Sequence, residues 1–276
     1  MLTDLEKQVL FHKATEPPFS GKYDKHFQDG VYLCKNCGSL LYYSHNKFNS
    51  GCGWPAFDDE ALGAVQRVAD SDGRRTEIIC SNCQSHLGHV FVGEKLTSKN
   101  TRHCVNSASL QFIPRQNLEK IVVGAGCFWG VEYLFKKLDG VLSAISGYSG
   151  GKLENPSYQE ICTGQTGHFE VVEVLFRKDK IDLENILKYF FEIHDFQQTD
   201  GQGPDLGEQY QSVIFYQNQD QKETAQKLVQ KLVEMKYQPA TQILPAKTFY
   251  PAEDYHQNYY QKTGKQPYCH SYNKVF

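Results

Sequence analysis

Two cysteine pairs of the same form, Cys34-Lys-Asn-Cys37 and Cys80-Ser-Asn-Cys83, constrain this chain more than any other feature. Residues 38–79, 42 in all, lie between them. A C-x-x-C segment is a tight knuckle with both sulfurs pointing one way. Two knuckles face to face offer four thiolates in the tetrahedral arrangement of a structural zinc site, with no position left open for chemistry. A redox-active C-x-x-C of the thioredoxin kind is the competing reading, but it needs only one pair and usually a helix starting between the cysteines. Asn inside both pairs and strand-like flanks favour one zinc ion held by Cys34, Cys37, Cys80 and Cys83. A nucleic-acid-binding zinc ribbon would share the knuckles. The loops here lack its basic, aromatic-rich character, and a net charge of −3 gives no cationic surface for phosphates.

Nine cysteines cannot all pair. The N-terminus MLTDLEKQVLFHK carries Asp4 and Glu6 and no apolar core, so it does not read as a signal peptide. The expected compartment is the cytoplasm, where thiols stay reduced and act as ligands or reactive groups. No run approaches the ~20 apolar residues of a membrane span. Hydrophobic residues at 40% and charged ones at 22% supply a packed core and exclude disordered and collagen-like chains.

The cysteines also divide the chain. Six fall in residues 1–114 and three (Cys127, Cys162, Cys269) in residues 121–276, with the polar, proline-opened stretch 115–120 between them as a linker. The first part predicts a short helix over Asp4–Lys13, then short strands at Val31–Cys34, Leu40–Tyr43, Thr76–Cys80, His89–Val92 and Ser109–Ile113: a mainly-β sandwich or barrel. The second part alternates. Strands are expected at Lys120–Val123, Phe169–Phe176 and Ser212–Tyr216, and helices at Phe128–Leu138, Leu183–His194 and Asp220–Lys236. The last helix would put Ala225, Leu228, Leu232 and Met235 on one face. That alternation argues for an α/β layered domain.

Two further cysteines sit in suggestive surroundings. In Arg102-His-Cys104-Val-Asn106, strand periodicity puts Arg102, Cys104 and Asn106 on one face, and a neighbouring cation favours the thiolate. Upstream lie His86-Leu-Gly-His89 and the glycine-rich loop Ser50-Gly-Cys52-Gly-Trp54-Pro55-Ala-Phe57. In Gly124-Ala-Gly126-Cys127-Phe128-Trp129-Gly130 a cysteine follows a strand and opens a helix, where the helix dipole lowers a thiol pKa. The bland alternatives are a buried small hydrophobe for Cys104 and a phosphate-cradling turn around Cys127, although no G-x-G-x-x-G occurs.

Residues 12–113 resemble methionine sulfoxide reductase of the B type. Glu16-Pro-Pro-Phe, the paired knuckles, Gly-Cys52-Gly-Trp54-Pro-x-Phe, His86-Leu-Gly-His89-Val-Phe and Arg102-x-Cys104-Val-Asn106-Ser-Ala-Ser-Leu carry the resemblance. It implies Cys104 as nucleophile, Cys52 as resolving thiol and Trp54 as the wall for the substrate methyl. His86, His89 and Asn106 would position and protonate the sulfoxide oxygen, and Arg102 would hold the thiolate. From about residue 120 onward the chain resembles the A type. Here the carriers are Gly-Cys127-Phe128-Trp129-Gly, Gly147-Tyr148-Ser-Gly-Gly151, Asn155-Pro-Ser-Tyr158, Thr166-Gly-His-Phe-Glu170, Asp205-x-Gly-x-Gln-Tyr210 and Ala252-Glu-Asp-Tyr-His256. That resemblance implies Cys127 as nucleophile, with Glu170, Tyr158 and Tyr210 donating to the oxygen. Phe128 and Trp129 would hold the methyl, Asp205 would support the site, and the C-terminal part would be a ferredoxin-like two-layer fold. Pro204 and Gln211 depart from the family, which often has Asn and Arg there. Cys269 is the resolving candidate in a tail with a single thiol, and Cys162 reads as structural.

Together the two resemblances imply a bifunctional reductase repairing both sulfoxide epimers, in oxidised proteins or as free methionine sulfoxide, and recycled by thioredoxin. No nucleic acid or membrane partner is expected. A zinc-ribbon redox sensor is the alternative; it explains the cysteines but neither tryptophan nor the acid–tyrosine set.

Overall fold

Thr3 starts the first helix, Asp4–His12, with a reciprocal cap: its hydroxyl accepts from Glu6 N, and the Glu6 carboxylate accepts from Thr3 N. Lys13 ends it in the left-handed conformation. The structure, a computed structural model, describes residues 1–276 and divides into two units, Met1–Leu118 and Glu119–Phe276.

The first unit is built from two antiparallel sheets. One has the order Leu40–Tyr43, Gly30–Cys34, Leu110–Pro114. The other runs Lys47–Phe48, Ala56–Phe57, Thr101–Val105, His86–Val92, Thr76–Cys80, Val65–Ala69. Alternation along the strands sends Tyr32, Tyr42 and Leu110 from the first sheet and Phe57, Ile78, Val90 and Val105 from the second into one core. The Tyr42 and Phe57 rings stack there with centroids 4.2 Å apart.

The second unit has one six-stranded sheet in the order Gln242–Pro245, Ser212–Tyr216, Leu118–Ala125, Phe169–Arg177, Val141–Ser149, Tyr250–Pro251. Odd positions Ile121, Val123 and Ala125 face the helices Phe128–Phe135, Leu183–Glu192 and Gln219–Glu234, which bring Val131, Phe135, Ile186, Phe190, Ala225 and Leu228 into the main core. Val122 faces the other way and packs with Val171, Val213 and Phe215. None of the helices is long and apolar enough to cross a membrane.

Several expectations need correction. Met235 does not share the buried face of the last long helix: the helix stops at Glu234, and Met235 caps its end with 41% of its surface exposed. The boundary between the units falls within the stretch 115–120, where a 3-10 turn, Arg115–Asn117, is followed by a strand that starts at Leu118. The nine-residue strand Val141–Ser149 was not expected at all, because Ser143, Ser146, Gly147 and Ser149 give it neither β-branched density nor clean alternation.

Candidate active sites and metal centre

The two knuckles are built alike. Cys34 and Cys80 each end a strand, and each accepts a backbone bond at its carbonyl from the residue after the second cysteine, Gly38 or Gln84, at 2.9 Å. Both of those residues take positive φ, +76° and +61°. The two knuckles also brace one another: Asn36 Nδ2 donates to Ser85 Oγ and Asn82 Nδ2 to Ser39 Oγ, both at 3.0 Å. Cys34 and Cys83 sulfurs are 3.6 Å apart, and Cys37 and Cys80 sulfurs 3.7 Å. A tetrahedron with zinc–sulfur bonds of ~2.3 Å has edges of about 3.8 Å. The four-sulfur cluster therefore fits a structural metal.

The first thiol centre lies across the face of the larger sheet that looks away from the core. Antiparallel register lines up Glu77, His89, Cys104 and Ala56 in one row and Phe91 with Arg102 in the next. His86 and His89 are three apart, which on a regular strand would put them on opposite faces. A bulge that skips Leu87 (Ile78 pairs with Gly88, Ile79 with His86) turns His86 to the same side, and the two rings lie 5.6 Å apart. His86 Nδ1 bonds Glu77 Oε1 at 2.7 Å, and Glu77 also accepts from Lys13 Nζ at 2.7 Å. Burial lowers the His86 pKa against the opposing pull of Glu77, and its Nε2 is buried without a hydrogen-bond partner. His89 Nε2 bonds Asp70, whose carboxyl that contact holds well below the usual range.

Cys52 Sγ sits 3.8 Å from Cys104 Sγ. The contact lowers Cys52 to about 5 and raises Cys104, which burial raises further. The Arg102 charge lowers both and reaches Cys104 by a hydrogen bond as well, so it favours the thiolate on either sulfur. Arg102 is itself clamped by Glu94 at 2.7 and 2.8 Å and lies over the Phe91 ring.

Two site residues are placed differently from the simplest strand picture. Asn106 falls one position past the strand, and its amide is held at both ends: Oδ1 accepts from Glu16 N and Nδ2 donates to the Leu87 carbonyl. Trp54 Nε1 donates to the Glu16 carbonyl at 3.0 Å. Glu16, given no role by the sequence, is thus the hub here. Its buried carboxylate also accepts from Ser107 N and Ala108 N, joining the Trp54 loop to the turn after Cys104. The Glu-Pro-Pro motif marked its position but not its partners.

In the second centre the strand ends at Ala125, Gly126 turns the chain at φ +91°, and Cys127 stands at the N-cap of the helix Phe128–Phe135. Phe128 N donates to Glu170 Oε2 at 3.1 Å. Glu170, 2% exposed, has its carboxyl pushed well above the usual range by burial and then by Cys127. Burial likewise raises Tyr158 and Tyr210, with Glu170 adding to both, so in all three groups the site favours the protonated form. Trp129 stacks on Tyr259 at 3.7 Å and donates its Nε1–H to His256 Nδ1 at 3.0 Å. His256 in turn meets the Tyr158 ring edge-on at 4.4 Å.

Glu253, which the sequence offered only inside a motif, accepts from Tyr148 OH and Tyr158 N and ties that tyrosine to the sheet. Cys127 Sγ, Cys269 Sγ and an Asp205 oxygen all lie within 4.8 Å of one another. Tyr268 OH donates to both Asp205 oxygens, at 3.1 and 3.0 Å. Cys162 is exposed.

Comparison with known proteins agrees with this arrangement. Residues 119–275 match the family described as peptide methionine sulfoxide reductase, over more than half of the chain. The chain belongs to that family. Residues 2–114 match a second family, described as the SelR domain, so the order is a B-type unit followed by an A-type unit.

A peptide methionine sulfoxide reductase MsrA from Acidobacterium capsulatum is 49% identical over 156 residues, covering 55% of this chain and 99% of that protein. One of the same name from Methanothermobacter thermautotrophicus is 50% identical over 151 residues, covering 54% and 89%. Among solved structures, Mxr1 from Saccharomyces cerevisiae in reduced form superposes with TM-score 0.54 at 31% identity, over 57% of this chain and 93% of that one. The reaction class is thiol-dependent reduction of methionine sulfoxide, with one thiol centre in each reductase unit.

Proposed function

We propose that the two centres divide the epimers of methionine sulfoxide, the B-type unit reducing the R form through Cys104 and the A-type unit the S form through Cys127. One observation carries this reading: each nucleophile candidate has a second sulfur beside it, Cys52 for Cys104 and Cys269 for Cys127, and buried proton donors within the same site.

In each centre the thiolate attacks the sulfoxide sulfur while the oxygen is protonated. Methionine leaves, and the oxygen stays on the cysteine as a sulfenic acid. The second thiol then displaces it as water and forms a disulfide, which an external dithiol reduces by exchange. Thioredoxin is the proposed reductant, and protein-bound or free methionine sulfoxide the substrate. In the A-type unit Glu170 gives the proton, Tyr158 and Tyr210 hydrogen-bond the oxygen, Phe128 and Trp129 enclose the methyl, and Asp205 supports the site. In the B-type unit the carboxylates of Glu77 and Asp70 hydrogen-bond His86 and His89 and orient their rings, and Trp54 walls the methyl. Asn106 acts by fixing the chain between Cys104 and Glu16.

Cys34, Cys37, Cys80 and Cys83 would hold zinc, which supplies cross-linking and no chemistry; the sulfur spacings above support this ion. The strand order Ser212–Tyr216, Leu118–Ala125, Phe169–Arg177, Val141–Ser149 is fourth, first, third, second in sequence, with helices after the first and third. It supports a ferredoxin-like reading of the A-type unit. Cytoplasmic residence suits a chain with nine free cysteines.

The test is turnover of each separated epimer by the full chain with dithiothreitol; reduction of neither ends the proposal. Glu170→Gln is expected to lower S-epimer kcat about 10²-fold or more, as loss of a positioned acid does, and to leave the R epimer untouched. Only the protonated carboxyl donates, so S-epimer turnover falls as pH rises through the raised Glu170 pKa, and this alkaline limb disappears in the variant. A variant that kept the limb would assign it to another group.

A further inference from the structure

His270 follows the resolving candidate Cys269 and is buried against the start of the helix that carries Cys127. Its Nε2 lies 2.6 Å from the Ala125 carbonyl. A carbonyl only accepts, so that nitrogen carries the ring proton. In a neutral imidazole the other nitrogen is then bare, and Nδ1 is 3.1 Å from Cys269 Sγ. The only bond that pair can make is Cys269 S–H donating to His270 Nδ1.

The ring has room because the helix offers no side chain there. A Cβ at Gly130 would stand 2.2 Å from His270 Nδ1, and one at Gly126 would stand 2.4 Å from Gln202 Cβ, the side chain whose Nε2 donates to the Cys269 carbonyl. The tail around it is fastened by Tyr268 to Asp205 and by Asn273 N to the Glu192 carbonyl.

We infer that His270 is the general base of the resolving step, taking the Cys269 thiol proton as that sulfur attacks the oxidised nucleophile. The inference rests on the reading of Cys127 as nucleophile and Cys269 as its resolving partner. Cys127 Sγ–OH gains a bond to Cys269 Sγ and loses its bond to oxygen. The proton passes from Cys269 to His270 Nδ1 and then to the departing hydroxide, which leaves as water. No outside oxidant or reductant enters. Groups facing the ring are Cys269, Asp205 and His194, with Cys127 beside Cys269 and Asp205. Burial lowers the His270 pKa and Asp205 opposes that, so the base stays neutral and available below the ordinary imidazole range.

His270→Gln separates the roles, because its amide N–H reaches the Nε2 position and keeps the Ala125 bond while the acceptor at Nδ1 is gone. In single turnover of the S epimer by the full chain, the methionine burst should be unchanged. Conversion of the sulfenic acid to disulfide, followed by loss of trappable sulfenic acid, should slow about 10²-fold at neutral pH. The deficit should shrink as pH rises, because hydroxide then takes the proton that the missing base no longer accepts. A deficit constant with pH, equal loss of burst and resolution, or no slowing overturns the inference. Cys269→Ser is the companion: if it still forms an intramolecular disulfide, the resolving assignment itself fails, and if it blocks resolution while His270→Gln does not slow it, only the base is wrong.

Discussion

Replacing Cys104 by Ser is expected to remove R-epimer turnover, roughly 10⁴-fold or more as when a covalent nucleophile is lost, and to leave the S epimer at the wild-type rate. Cys127→Ser should do the reverse. The oxygen-for-sulfur exchange is close to isosteric, and Cys104 stays paired in register with His89 and Ala56, so the sheet keeps its packing. What is lost is the thiolate, which Arg102 favours at Cys104 and which a hydroxyl does not form near neutral pH. Purified epimers, dithiothreitol and a melting curve for each variant decide it. One substitution that abolished both activities would show a single working centre and undo the division of labour.

The second large effect concerns the knuckles. Cys80→Ser, or chelation under reducing conditions, should remove one metal equivalent and unfold the B-type unit. R-epimer turnover would then disappear while the S epimer is still reduced. Structural zinc in small modules is worth roughly 10–16 kcal/mol of apparent binding free energy, as large as or larger than the ~5–15 kcal/mol net stability of a typical domain. Cys80 ends the strand Thr76–Cys80, which pairs with both His86–Val92 and Val65–Ala69, so its loss frees the sheet edge as well as the metal. The measurements are metal content and R-epimer rate on one sample; a metal-free chain at full R-epimer rate would make the cluster dispensable.

The sequence was most legible where chemistry depends on local spacing. The knuckles are close in space, with the geometry their matching form suggested, and Cys127 caps a helix after a glycine turn as its neighbours implied. It was least legible where a partner comes from far along the chain. Glu16 is 91 residues from Ser107, whose N–H it accepts, and nothing in Glu-Pro-Pro names that partner. His270 lies 145 residues from Ala125, and its use depends on Gly130 being bare, a fact of packing rather than of pattern. The strand Val141–Ser149 was missed because its pairing with Phe169–Arg177, not its own serines and glycines, holds it in the sheet. Met235 failed for the opposite reason: the apolar period continued one residue past the end of the helix.

The skipped Leu87 gives the B-type centre a counting rule. Upstream of the bulge, odd and even positions exchange faces, so His86 and His89 share a face at an interval of three because Leu87 is an extra residue turned into the core between them. Removing one residue there would keep every side chain the reaction needs and nearly the same hydrophobic content, yet it would point His86 into the core or push Cys80 out of its knuckle. The four-cysteine cluster and the thiol centre therefore share one register, and an insertion or deletion between residues 80 and 89 should be far less tolerated than a substitution at most positions within it.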